Sequence, residues 1–202
     1  MSTERMEERA VRALYDEDTI TVYQAYKASI ARSAVQAQTF VSPPFKRERM
    51  TWIKPSFLWM MYRSGWATKE DQESILAVRI KRTGFEWALQ HACLSHFDGA
   101  FYSGYDIWKI MLQDSPVRIQ WDPEKDIFLQ PLPYRSIQIG LGGIAVEKYV
   151  SEWIVEVEDV TAFSQSIHQL VKEKRIEEAR TLLPAERLYL LDDNIAQQVH
   201  AS

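Results

Sequence analysis

The 202-residue sequence has very little cysteine and no long apolar run. Cys93 is the only cysteine, which excludes an internal disulfide and a zinc site built from several cysteines. The run Phe57–Met61 is far shorter than the about 20 apolar residues that a membrane-spanning helix needs. The first residues are charged and lack the apolar core of a signal peptide, so the sequence predicts a cytoplasmic protein without a membrane partner.

Glycine and proline are also scarce, with 7 and 8 residues, whereas 46% of the chain is hydrophobic. This composition favours a compact domain with a large core and excludes a disordered chain. The net charge of −4 excludes a general polyanion binder. The charge is uneven, however, because residues 43–85 hold nine Lys or Arg against four Asp or Glu. A local basic site in an acidic protein suits a small anion or a nucleotide.

One stretch, FKRERMTWIKPSFLWMMYRSGW at residues 45–66, combines most of these cations with aromatic side chains. Pro55 suits the first turn of a helix and Gly65 suits its end, so a short helix is predicted between them. Its residues are apolar on every face, which predicts burial all round. The flanking cations are Lys46, Arg47, Arg49, Lys54 and Arg63. Since buried charge is costly, we expect them to point outward at a phosphate-bearing ligand.

Alternating and helical hydrophobic patterns predict about six strands interleaved with short helices. The strands are expected at 19–26, 74–81, 116–121, 127–132, 134–141 and 153–157. The helices are expected at 1–17, 28–38, 84–94, 105–113, 144–150, 161–172 and 174–183, with a helical turn at 69–73. Residues 122–126 read as a hairpin turn. The fold class is therefore α+β: a single domain at 1–190 with a mixed, mostly antiparallel sheet, whole or split, C-terminal helices, and a frayed polar tail at 191–202.

Several chemical interpretations stay open at this stage. Lys54 could be a covalent nucleophile, as in nucleotidyl transfer, but the adjoining residues provide no carboxylate partner. Glu156 and Glu158 share one face of the last strand, either as acid–base groups or as a solvated surface. His91 and His96 would diverge on a helix, so no metal site is predicted.

Five runs closely resemble the domain-of-unknown-function family DUF4291, over roughly residues 10–190. They are ITVYQAY (20–26), FKRERMTWIKPSFLWMMYRSGWATK (45–69), VRIQWDPEKD (117–126), YRSIQIGL (134–141) and EWIVEVEDVT (152–161). The long second run is the most specific of them. This resemblance indicates a family and carries no function.

The chain more distantly resembles the ADP-ribosyltransferase-type NAD-binding fold, through Tyr-x-x-Tyr in the first strand and Glu-x-Glu in a late strand. The resemblance implies that Gln24 occupies the position that usually supplies a His or Arg to NAD. It implies a late glutamate that polarises the ribose, for which Glu158 or Glu156 is eligible and Gln138 is a rival. The second motif would supply a hydroxyl or aromatic group from Thr51, Trp52 or Ser56.

Together these observations predict an enzyme that binds NAD and transfers ADP-ribose to an unknown acceptor, with Gln24 and Glu158 as catalytic residues. The expected cofactor-binding residues are Tyr23, Arg47, Arg49, Thr51, Trp52, Lys54 and Arg63, with Tyr62 as a further stacking group. The alternative is a module that binds or processes RNA or single-stranded nucleic acid through the same basic and aromatic surface.

Overall fold

The computed structural model describes residues 8–202. The described strands are β1 Arg12–Ala13, β2 Thr19–Tyr26, β3 Thr51–Ile53, β4 Ser74–Lys81, β5 Ala92–Leu94, β6 Val117–Lys125, β7 Pro131–Leu141, β8 Ile154–Asp159 and β9 Arg187–Leu188. The described helices are α1 Ala28–Ala37, α2 Phe57–Ser64, α3 Arg82–Gln90, α4 Tyr105–Asp114, α5 Ile144–Lys148, α6 Thr161–Lys172, α7 Ile176–Leu182 and α8 Asp193–Val199. A π-helical turn at Tyr149–Trp153 follows α5 directly. None of these helices is both long and apolar enough to cross a membrane.

The strands form three sheets, which confirms the predicted α+β class and its mostly antiparallel, split sheet. One sheet has the order β2-β4-β8 and is antiparallel throughout. The second has the order β3-β7-β6-β5, in which only the pair β5 and β6 is parallel. The third is the short pair β1 and β9.

A single bridge connects the two larger sheets at Tyr23 of β2 and Lys54, which directly follows β3. The Tyr23 amide donates to the Lys54 carbonyl at 2.7 Å, and the Lys54 amide donates to the Tyr23 carbonyl at 3.3 Å. On either side of this bridge the strands diverge, since no other backbone pair joins β2 to β3 among the described residues. The fork leaves room for a cleft directly beside Lys54.

The hydrophobic patterns of the sequence predicted both ends of several elements correctly, because the pattern in each of them runs unbroken over the whole element. The strands predicted at 19–26 and 74–81 and the helix predicted at 161–172 have the observed bounds. A hairpin does follow β6, but the separate strand predicted at 127–132 is wrong, because the second strand of the hairpin is β7, which includes the strand predicted at 134–141. The turn was also placed too early. The Asp126 carboxylate accepts the amides of Phe128 and Gln130, so the turn covers 126–130 and β6 runs on through Lys125.

The helix α2 begins later than Pro55 suggests. The Ser56 hydroxyl accepts the Trp59 amide at 3.1 Å and caps the helix, so Pro55 lies just before the cap. Gly65 ends the helix with a left-handed φ of 59°. The prediction of burial all round was wrong, because Tyr62 is 46% exposed, whereas the flanking cation Arg63 is exposed as expected.

Four further expectations differ from the structure. Residues 8–17 of the lead-in are not helical, since β1 lies there, and residues 1–7 lie outside the described part of the chain. Residues 69–73 form turns, and the helix predicted at 84–94 gives way to β5 at Ala92. The frayed tail is instead the helix α8, which buries Ile195 and Val199. The Trp121 indole donates to the Val199 carbonyl at 2.8 Å, so core contacts order this polar segment.

Candidate ligand-binding site

The fork between the two sheets opens into a cleft of about 490 Å³, here called the basic cleft. Its walls come from the end of β2, the segment before β3, β3 itself and the helix α2. The side chains that matter for its chemistry are Gln24, Tyr26, Lys27, Lys46, Arg49, Thr51, Trp52, Lys54, Trp59, Arg63, Asp71 and Gln138. A cleft of this volume falls in the range of small-molecule and cofactor sites.

Lys54 lines the basic cleft although only 1% of its side chain is exposed. The expectation that this cation points outward was therefore wrong, because a protein carboxylate pairs with it inside the fold. Its Nζ lies 3.1 Å from Oδ2 of Asp122 and 3.7 Å from the ring centroid of Trp59. Burial lowers the pKa of the Lys54 amine to about 8, and the Asp122 carboxylate opposes that shift. An amine that releases its proton this close to neutral pH can act as a nucleophile or as an acid–base group.

Asp122 reaches Lys54 from β6, far away in the sequence. The same carboxylate oxygen accepts Nε2 of Gln138 at 3.3 Å, and that amide also donates to Oε1 of Gln120 at 2.7 Å. Gln138 therefore holds Asp122 in position against the amine, and Gln120 in turn fixes the amide of Gln138. Sequence reasoning missed this partner because it placed Asp122 in a turn, and only the pairing of β6 with β7 reveals it.

Gln24 lies deeper in the cleft wall and is 2% exposed. Its Nε2 donates to the Thr51 hydroxyl at 2.8 Å and to the Trp52 carbonyl at 3.1 Å, and it lies 3.0 Å from the Tyr26 hydroxyl. Its Oε1 accepts the hydroxyl of Tyr149 at 2.7 Å. Since both ends of the amide are engaged, Gln24 links β2 to β3 and fixes the position of Thr51.

Four exposed cations, Lys27, Lys46, Arg49 and Arg63, surround the mouth of the basic cleft. Within the part of the chain that the structure describes, Asp71 is the single carboxylate among the lining residues. This excess of positive charge attracts anions and raises their local concentration. Trp52 is half-buried in the wall and offers an aromatic face beside these cations.

Three of the predicted site residues lie elsewhere. Arg47 forms an ion pair with Glu147 at 2.8 Å and does not line the cleft. Tyr23 and Glu158 line a second cavity, also of about 490 Å³, on the other face of the sheet β2-β4-β8. They share that face because Tyr23 pairs with Ala77 and Ala77 pairs with Glu158.

The structure thus brings six of the nine predicted residues together. Those six are Gln24, Arg49, Thr51, Trp52, Lys54 and Arg63. The two predicted catalytic residues are separated, since Gln24 and Glu158 lie on opposite faces of one sheet. Glu156 lies with Glu158 and forms an ion pair with Arg79 at 3.0 Å.

Comparison with known proteins places the chain in one family. The family model described as Domain of unknown function (DUF4291) matches residues 10–189, so the chain belongs to this family. None of the curated proteins compared with the chain matches it.

Proposed function

We propose that this member of the DUF4291 family is a nucleotide-binding enzyme and that the basic cleft is its ligand site. The observation that carries the proposal is the buried amine of Lys54 at the floor of a cleft whose mouth holds four further cations. Phosphates bind Arg guanidinium groups through paired hydrogen bonds, and a base stacks on an indole. Both kinds of group are present within one volume of suitable size.

In this proposal the phosphates bind Arg49 and Arg63 at the mouth, and the base packs against Trp52. The phosphate or ribose nearest to the floor then lies beside Lys54, which is the residue we assign to catalysis. Its lowered pKa gives it a neutral fraction near pH 8, and the Asp122 carboxylate at 3.1 Å holds the amine in place.

NAD remains one of the candidate ligands, but the proposal does not use Glu158. ADP-ribosyl transfer through Gln24 and Glu158 needs both groups beside one ribose, whereas these side chains line different cavities. The amide of Gln24 is also engaged by its four neighbours. We therefore assign Gln24 to positioning Thr51 and leave the acceptor open.

A thermal-shift screen with NAD, ATP, ADP-ribose and a short RNA tests the proposal, because a ligand that binds only the folded state raises the midpoint. We expect at least one nucleotide to stabilise the protein. Replacing Arg49 with Ala removes a charge-assisted hydrogen bond and should weaken binding about tenfold or more. The matched control is Arg180→Ala, since Arg180 is an exposed arginine on α7, outside the cleft.

Two results would count against nucleotide binding. The first is an unchanged midpoint with all three nucleotides. The second is an equal loss of nucleotide affinity in Arg49→Ala and in Arg180→Ala. An equal loss would mean that Arg49 acts only through the total charge of the protein.

Single-stranded nucleic acid is a second candidate, favoured by one specific observation on α2. The ring of Tyr62 is exposed, and its centroid lies 3.9 Å from Nζ of Lys125 and 5.8 Å from Nζ of Lys69. Tyr62 directly precedes Arg63, which lies at the cleft mouth. This continues the basic and aromatic surface beyond the cleft. Stabilisation by RNA alone, with an affinity that falls steeply as salt is added, would favour this candidate over a small nucleotide.

A further inference from the structure

The second cavity lies behind the basic cleft and has the opposite charge. We call it the acidic cavity and define it by Tyr23, Phe57, Glu156, Glu158, Asp159 and Phe163. Arg79 also lines it, but this cation is already paired with Glu156. Asp159 accepts the Thr161 amide at 2.9 Å. Across residues 8–202, the carboxylate of Glu158 has neither an ion pair nor a hydrogen bond, so it is available to a ligand.

The Tyr23 hydroxyl is the second feature that indicates a ligand here. Tyr23 is only 2% exposed, and no residue in the described part of the chain forms a hydrogen bond with its hydroxyl. Burial and the nearby carboxylates of Glu186 and Glu158 raise the pKa of Tyr23 far above its usual value. This hydroxyl belongs to a cavity wall that also holds Glu158, so a ligand in the cavity can supply the hydrogen-bond partner that the protein does not.

The rest of the wall is apolar and aromatic. The ring of Phe57 lies 5.4 Å from that of Tyr23 and 6.0 Å from that of Phe163, measured between centroids. Pro184 and Leu14 extend this surface. Aromatic faces beside a free carboxylate attract organic cations, because the ring quadrupole and the negative charge both favour them. An alkyl chain can pack on the remaining apolar wall.

We propose that the acidic cavity binds a primary alkylammonium group. The ammonium donates hydrogen bonds to Glu158 and to the Tyr23 hydroxyl oxygen, and its alkyl chain packs on Phe57 and Phe163. Such a group occurs in free amines and in lysine side chains. This site is separate from the basic cleft, so the proposal does not depend on nucleotide binding.

Calorimetric titration with n-butylamine hydrochloride at neutral pH tests the site, with 1-butanol as the neutral analogue of the same length. We expect butylamine to bind and butanol to bind at least tenfold more weakly. Replacing Glu158 with Gln should weaken butylamine binding at least tenfold, and Tyr23→Phe should weaken it several-fold. Glu152→Gln, which alters another exposed carboxylate, should leave the affinity unchanged.

A parallel titration with Nα-acetyl-lysine methylamide separates the two sources of the group. Tighter binding than butylamine would assign the site to a lysine side chain of a polypeptide, and weaker binding would assign it to a free amine. The proposal is overturned if butanol binds as well as butylamine, if Glu158→Gln has no effect, or if millimolar butylamine shows no binding. Glu158 is exposed, so its variant should fold normally.

Discussion

The basic cleft and the acidic cavity are equal in volume, at about 490 Å³ each, but they differ in charge. Both are built on β2, and the two neighbouring residues Tyr23 and Gln24 belong to different ones. The separation follows from the strand geometry, because successive side chains point to opposite faces. Residues that are adjacent in the sequence can therefore belong to two sites with unrelated chemistry.

Each cavity is lined by a cation that forms an ion pair, and the two pairs have nearly the same length. Lys54 and Asp122 are 3.1 Å apart, with Lys54 almost fully buried. Arg79 and Glu156 are 3.0 Å apart, with side chains that are 46% and 51% exposed. Distance alone would rank these pairs as equal. Burial distinguishes them, because water screens both members of the second pair, whereas in the first pair Lys54 is shielded from water and Asp122 is 28% exposed.

The largest effect that we expect comes from breaking the buried pair with Asp122→Asn. This change leaves the Lys54 amine without a counter-charge and should lower the free energy of unfolding by about 3–5 kcal/mol. Glu156→Gln breaks the exposed pair and should cost about 0–1 kcal/mol. Denaturant unfolding of both variants measures the difference. Equal losses would show that burial does not distinguish the two pairs.

Much of this fold follows from local sequence patterns. The alternation in 19–26 and 74–81 was sufficient to locate β2 and β4, because each strand is long and its turns are clear. The helix α8 could not be predicted in this way. Its residues are mostly polar, and it is ordered by buried contacts of Ile195 and Val199 with residues distant in the chain. Such tertiary contacts override weak local propensity.

The candidate site, too, was predictable only where its residues are neighbours in the sequence. The cations and aromatic residues of the basic cleft lie close together in the sequence, so their clustering was visible. Asp122 lies on a different strand from Lys54, and no spacing rule connects the two residues. The faces of the sheet were also unknown, since Glu158 could be assigned to a cavity only after β8 had been paired with β4.

Substitutions at the neighbours Gln24 and Tyr23 should lower the stability by smaller amounts, and the two losses should differ. Gln24→Leu leaves the buried Tyr149 hydroxyl and the Thr51 hydroxyl with fewer partners, which should cost about 3 kcal/mol of stability. Tyr23→Phe removes a hydroxyl that has no partner among the described residues, so its stability should change by less than about 1 kcal/mol. Thermal and denaturant unfolding measure both. A larger loss for Tyr23→Phe would mean that its hydroxyl supports the fold.

The effect that is smallest per pH unit concerns how stability depends on pH, and again one group belongs to each side of the sheet. Burial raises the pKa of Glu186, which accepts the Phe57 amide behind the acidic cavity, from 4.5 to about 8. Between these values the folded protein keeps a proton that the unfolded chain has released. Stability should therefore fall as the pH rises from about 4.5 to about 8, by at most about 1.4 kcal/mol per pH unit.

The Lys54 amine should have the opposite effect at higher pH. Burial lowers its pKa from 10.5 to about 8, so between these values the unfolded chain keeps a proton that the folded protein has released. Stability should then rise again from about pH 8 to about pH 10.5. Denaturant unfolding at a series of pH values checks both limbs. Glu186→Gln should flatten only the lower limb and Lys54→Met only the upper one, and a limb that survives its own variant must arise from another titrating group.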